Sequence, residues 1–264
     1  MFKKLQLLFV LFVVASGATA PRVCRSQDMH VNTTVYNQQA EPPEVRSRSL
    51  SLFHGGKTYD FIDEVGEVVI FEAASKRFTL LNTRQMKAAT VLCEELNGQL
   101  KVARETIQND QALWNQLKFQ LNPRFTEDRK EDGLLTLQGD AMRYRVKFTP
   151  IESKDKVQAY LNYADWACRL NYVLHPGKLY PEPRLALNNA LRKVQALPTE
   201  VELIADIGER IHLRAEHKIY MNLNDKDRDL IHQWEKLLAS KDLKHVTFQE
   251  YQKALLTEQV GRRK

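Results

Sequence analysis

The stretch that decides the fold is Arg210-Ile211-His212-Leu213-Arg214-Ala215-Glu216-His217-Lys218-Ile219-Tyr220-Met221-Asn222-Leu223. Ile211, Leu213, Ala215, His217, Ile219, Met221 and Leu223 fall on one side of an extended chain. Arg210, His212, Arg214, Glu216, Lys218, Tyr220 and Asn222 fall on the other. A period of two sustained this long specifies a β-strand with one buried face. Thr199-Glu200-Val201-Glu202-Leu203-Ile204 is its expected hairpin partner. The strand hands over to a helix at Asn224, with Asp227 placed to complete a capping box and Leu230, Ile231, Trp234, Leu237 and Leu238 forming the apolar stripe.

Working outward, the same alternation recurs after Gly139-Asp140. Met142, Tyr144, Val146 and Phe148 share a face opposite Arg143, Arg145 and Lys147, and Leu134–Leu137 precedes them as a hairpin partner. Nearer the N-terminus, Leu50–Phe53, Lys57–Ile62, Glu67–Phe71 and Arg77–Leu81 are short β-like runs joined by short turns. Such spacing predicts an antiparallel meander, because parallel neighbours need long crossovers. Helices are expected between these groups. Leu92, Leu96, Leu100, Ala103, Ile107, Trp114, Leu117 and Leu121 make one stripe, with Asn97-Gly98 as its start or a kink and Pro123 as its end. Val157, Tyr160, Leu161, Ala164, Cys168 and Leu174 make a second, and Leu185–Leu197, stopped by Pro198, a third. The expected fold is α+β: a curved antiparallel sheet resembling an incomplete barrel, helices on its apolar face, and a basic, polar face toward water.

Ahead of that domain, Lys3-Lys4, the apolar run Leu7–Ala15 and the small residues Ser16-Gly17-Ala18 have the order of a secretory signal peptide. The run is far shorter than the roughly 20 residues that cross a bilayer as a helix. The expected organisation is a signal peptide over 1–18, a flexible polar tether over 19–45, one α+β domain over 46–256 and a basic tail over 257–264. The chain is therefore expected to be exported, periplasmic or secreted, or membrane-tethered if the signal stays uncleaved. Asn32-Thr33-Thr34 within the tether fits the N-glycosylation sequon.

Hydrophobic residues at 43% and charged residues at 27% place the chain among globular proteins. The net charge of +6 is spread thinly, without the concentrated basic patch of a nucleic-acid binder, so nucleic acid is not the expected partner class. Cys24, Cys93 and Cys168 contain no Cys-x-x-Cys; the last two read as small buried hydrophobes kept reduced, with a Cys93–Cys168 bridge as the alternative.

Motifs for a serine elbow, a zinc helix, a phosphate loop or a calcium loop are missing, so neither a catalytic residue nor a cofactor is expected. His212 and His217 share a strand at an odd separation, which puts them on opposite faces and rules them out as a metal pair. His217 is the oddity: an imidazole on an apolar face, either a hydrogen-bonded, half-buried histidine of the core or a group able to orient the head group of a ligand. Met221, on the same face, and Tyr144 and Val146, on the inner face of their strand, complete the candidate ligand-binding set. The basic residues Arg143, Arg145, Lys147, Arg210, Arg214 and Lys218 offer a membrane-surface contact unless Glu200, Glu202 and Glu216 interleave with them.

The succession Lys57–Ile62, Glu67–Phe71 and Arg77–Leu81, with inserted helices and export, resembles the LolA/LppX-like periplasmic lipoprotein carriers over most of residues 46–240. That resemblance implies an incomplete antiparallel barrel that wraps helices and shelters acyl chains. His175-Pro176-Gly177 and Leu185–Leu197 depart from such a pattern, and no site residue is carried over. The expected function is a non-catalytic binding or carrier module for a lipid or other apolar ligand of the cell envelope. The alternative is a structural or protein-interaction domain whose core is filled by Tyr144, Phe148, Trp114, Trp166 and Trp234.

Overall fold

Strand structure starts well before residue 46. The computed structural model describes residues 27–261 apart from Glu131, Gly177, Lys178 and Glu209. The expected signal peptide over 1–18, the first part of the expected tether and the last three residues of the basic tail lie outside the described residues. In chain order the elements are β1 (Met29–Asn37), β2 (Glu44–His54), β3 (Lys57–Ile62), β4 (Glu67–Glu72), β5 (Arg77–Asn82) and β6 (Lys87–Leu92), then α1 (Cys93–Asn109) and α2 (Gln111–Leu121). Next come β7 (Thr126–Lys130), β8 (Leu134–Gln138), β9 (Met142–Pro150), α3 (Lys154–Leu174) and α4 (Glu182–Lys193). The last are β10 (Ala196–Asp206), β11 (Arg210–Tyr220), α5 (Asp225–Leu238), β12 (Lys244–His245) and α6 (Phe248–Gly261).

All twelve strands belong to one sheet, ordered β12-β6-β5-β4-β3-β2-β1-β11-β10-β9-β8-β7. Neighbours are antiparallel except β12 and β6, and the sheet is open, with β12 and β7 as its edges. The architecture is α+β with a large, mostly antiparallel sheet.

The expected tether is overturned for its described part. β1 sits at the centre of the sheet, pairing with β11 (Val31↔Ile219, Thr33↔His217, Val35↔Ala215) and with β2 (Val31↔Ser51, Thr33↔Ser49). Met29-His30-Val31-Asn32-Thr33-Thr34-Val35 looks polar in bulk, yet Met29, Val31, Thr33 and Val35 share one face and most of them are β-branched or apolar. Such residues fit a pleated, half-buried surface.

Three further boundaries differ from expectation. Leu92 closes β6 and is 51% exposed instead of starting the helix stripe. Asn97-Gly98 passes through α1 without interruption; the break comes at Asp110, whose carboxylate accepts the backbone N–H of Ala112 and Leu113 at 2.9 and 3.0 Å. That cap satisfies donors which would otherwise be orphaned at the start of α2. The helix expected over Leu185–Leu197 is α4, ending at Lys193, and Ala196 and Leu197 already belong to β10. Pro198 lies inside that strand beside a register irregularity against β9, where a missing N–H is tolerated.

Both faces of the sheet carry apolar residues, which corrects the expectation of one apolar and one wet face. On the first face, Phe53, Val69, Phe71, Phe78, Leu80, Val201 and Val146 join residues of α1, α3, α4 and α6 in the main core. On the second, Leu52, Tyr59, Val68, Ile70, Leu81 and Ala88 pack under Ile231 and Trp234 of α5. Trp234 stacks on Tyr59 at 6.2 Å between ring centroids. The unbroken run Val68-Val69-Ile70-Phe71 is the local sign of this double cover, since a strand buried on both sides loses its alternation. The capping box of α5 forms as expected, with Asn224 and Asp227 bonding reciprocally at 3.0 Å.

Over β9–β11 the second face does meet water, and its acids interleave with its bases. Lys147 pairs with Glu200 at 3.1 Å, Arg145 with Glu202 at 3.6 Å, and Arg214 with Glu216 at 3.1 Å. His212 lies on this face beside Glu202, so the opposite-face assignment of His212 and His217 holds. The surface is a mixed-charge lattice and not a basic stripe.

Candidate functional site

The helices approach the first face most closely at β6 and β10. Between those lines of contact lie β5, β4, β3, β2, β1 and β11. This face is closed at one end of β1 and β2 by Met29, Val31, Ser51 and Phe53, but less so toward the other end of β1, β2 and β11. There the residues facing the helices are Ser47, Ser49, Thr33, Val35, Leu213, Ala215, His217 and Ile219, with Asp60 of β3 beside them, and each keeps accessible surface. On either side the same face is closed: Leu80 and Ala89 toward one edge, and Val201, Val146 and Leu135 toward the other, are buried. A partly open strip therefore runs under the helix layer, between two packed flanks.

Its floor is polar. Asp60 accepts a hydrogen bond from Ser51 Oγ at 2.6 Å and further ones from the hydroxyls of Tyr163 and Ser49. Burial dominates over those bonds and lifts its carboxyl above the ordinary carboxylate range. His217 Nδ1 is 2.9 Å from Thr33 Oγ1, directly across the β1–β11 pair. Its Nε2 is buried and has no hydrogen-bond partner. Burial, and after it the positive charge of Arg184, lowers the ring to about 3, so the imidazole is neutral at physiological pH.

The roof comes from α3 and α4. The ring of Tyr160 meets His217 edge-on at 6.4 Å and Phe53 at 6.1 Å. The Tyr160 hydroxyl is hydrogen-bonded to Arg184. Arg184 Nε donates to Asn188 Oδ1 at 3.1 Å, and Asn188 donates to Asp165 at 2.7 Å. Arg192 also pairs with Asp165, completing a chain of support behind the guanidinium. Among the described residues no carboxylate forms an ion pair with Arg184 itself.

The sequence-derived site residues divide. His217 stands in the strip. Tyr144 is buried, 4% exposed, with its ring against Phe125 at 6.1 Å, and its hydroxyl is pushed up to about 12 by burial. The charge of Arg184 acts on both Tyr144 and His217. Val146 is fully buried between Leu135 and Val201 and fills core. Met221 lies just past β11, packed against the main core, with its carbonyl accepting from Lys156 Nζ, and it borders an open surface groove of about 660 Å³ with His30, Asn32 and Tyr220. Asp60, Tyr160, Tyr163, Arg184 and Thr33 were not legible as site residues. One signal was there to be read: Ser47, Ser49 and Ser51 put a small hydroxyl at every second position of a strand whose inner face would otherwise be apolar.

Cys93 and Cys168 are both free thiols, pushed up to about 11 and about 12 by burial. No helix among the described residues is long and apolar enough to cross a membrane.

No family model matches the chain, and no curated protein matches it. Among solved structures, PNGF-II is similar with a TM-score of 0.34 at 8% identity, over 87% of this chain and 32% of that one. The chain thus spans about a third of that protein's length, and a likeness this slight carries no argument about activity.

Proposed function

We propose that the chain is an exported, non-catalytic module that binds or carries a lipid or other apolar ligand in the cell envelope, in the strip between the middle of the sheet and α3–α4. The observation that carries this reading is the contrast along one face. The flanks and the Met29–Val31–Phe53 end of the central strands are packed, whereas Val35, Leu213, Ala215 and Ile219 farther along the same face are only partly buried. Apolar side chains left partly open inside a domain are the usual lining of a small-molecule site, with a few convergent polar groups to orient the ligand. His217, Arg184 and Asp60 are such groups. Each methylene taken from water into the strip would contribute about 0.8 kcal/mol, so one acyl chain suffices for useful affinity. The resemblance to LolA/LppX-like carriers agrees with this use of an open antiparallel sheet.

The second reading, a structural or protein-interaction domain of the envelope, is favoured by the dense packing of Tyr144 and Val146. Native mass spectrometry of the processed chain, purified without detergent and followed by organic extraction, separates the two. A reproducible adduct of lipid mass, released on denaturation, supports the carrier. A clean apo mass that persists after lipid is added back supports the filled domain. The mass of the processed chain also reports whether the signal has been removed.

A further inference from the structure

We propose that Arg184 and His217 form the head-group end of this strip and take the carboxylate of a long-chain fatty acid, an assignment that rests on the strip being a ligand site. A guanidinium offers five N–H donors in a planar fork. In Arg184 one is spent on Asn188 and the fork also meets the Tyr160 hydroxyl, yet no acid pairs with it among the described residues. It is only partly exposed, and a cation so placed is costly to leave without a counter-charge. Its orientation is nonetheless built: Asp165 holds Asn188, and Asn188 holds the guanidinium.

His217 supplies the second unspent group. When Thr33 Oγ1 donates to Nδ1, the proton of the ring sits on Nε2, which is buried and unpartnered. A buried donor without an acceptor is rare in folded proteins and marks a place where a ligand atom or water belongs. Tyr160 ties the two groups together, since its ring touches His217 while its hydroxyl holds Arg184. One positive charge and one neutral donor match a singly charged head group. A dianionic phosphate would be poorly balanced here, the more so because Asp60 stands nearby with its acceptor sites already taken by Ser51, Ser49 and Tyr163. Val35, Ala215 and Ile219 then line the path of the acyl chain.

The test is isothermal titration calorimetry of the delipidated processed chain with palmitate, 1-hexadecanol and hexadecyl phosphate. Palmitate should bind at least about tenfold more tightly than hexadecanol, the value of one charge-assisted hydrogen-bonded contact. Arg184→Gln should erase that preference while leaving hexadecanol affinity unchanged. His217→Leu should reduce the preference without touching α4, so a misfolded Gln variant does not remove the test. Equal binding of palmitate and hexadecanol to the wild type would overturn the assignment and leave the apolar site standing. Preference for hexadecyl phosphate over palmitate would overturn the carboxylate. Failure of all three to bind would overturn both the assignment and the proposed function.

Discussion

Replacing His217 by Leu should remove a defined part of the acid sensitivity of this fold. The ring has an ordinary value of 6.5 and is lowered to about 3 by burial and by Arg184. Between those values the unfolded chain holds a proton that the native chain refuses. Stability is therefore full above the unfolded value and is lost as pH falls toward the folded one. At pH 5 protonation favours the unfolded ring by a factor of about 30, which lowers the stability by about 2 kcal/mol relative to pH 7. Leucine has no such term and fits an apolar strand face. Urea unfolding of wild type and variant at pH 7 and pH 5 gives four free energies, and their double difference isolates His217 from the other histidines and the carboxylates. The expected double difference is about 2 kcal/mol, with the wild type losing more. Parallel pH responses, or a His217 resonance that titrates near its ordinary value, would refute the claim that burial and Arg184 hold the ring neutral.

Other consequences are as direct. Burial raises the carboxyl of Asp60 above 3.8, so the native state holds the extra proton and the sign reverses: stability falls as pH rises through that window. Asp60→Asn should consequently melt higher than wild type at pH 7, an advantage that shrinks on acidification; a lower melting temperature at pH 7 would disprove it. Trp234→Ala should cost about 3–5 kcal/mol, because Trp234 is 5% exposed and contacts Tyr59 and Phe61 on the second face. A loss below 1 kcal/mol in urea, on the order of a surface substitution, would mean that α5 does not close that face. In a Cys24→Ser background, Cys93 and Cys168 should resist a thiol reagent at pH 8 until the chain is unfolded, since their values near 11 and 12 leave almost no thiolate. Rapid labelling of the native protein would contradict these raised values.

The regular part of the fold was legible because it rests on period alone. Strict alternation through Arg210–Tyr220 and Met142–Phe148 set the inner and outer faces of β11 and β9, and the register of β11 against β10 pairs Val201 with Ala215 as those faces require. Asn224 and Asp227 announced the start of α5 through local hydrogen bonding, which needs no tertiary partner. β1 was missed because its inner face carries Thr33 and its outer face His30, Asn32 and Thr34. Its central place depends on β2 and β11 coming from either side. β6 was hidden for a similar reason: Ala88, Ala89 and Val91 are small and show little contrast between faces.

The site was legible only at His217, where a polar ring interrupts an apolar face. Asp60, Thr33, Tyr160 and Arg184 come from three strands and two helices together with His217, spread from residue 33 to residue 217. The sequence by itself determined which side chains of β9 and β11 face inward, because that follows from a two-residue repeat. Only the tertiary structure decided that these inward groups meet, that α5 covers the opposite face, and that the middle of the sheet stays partly open. Those outcomes depend on strand order and on where helices touch the sheet, and both are set by packing between segments distant along the chain.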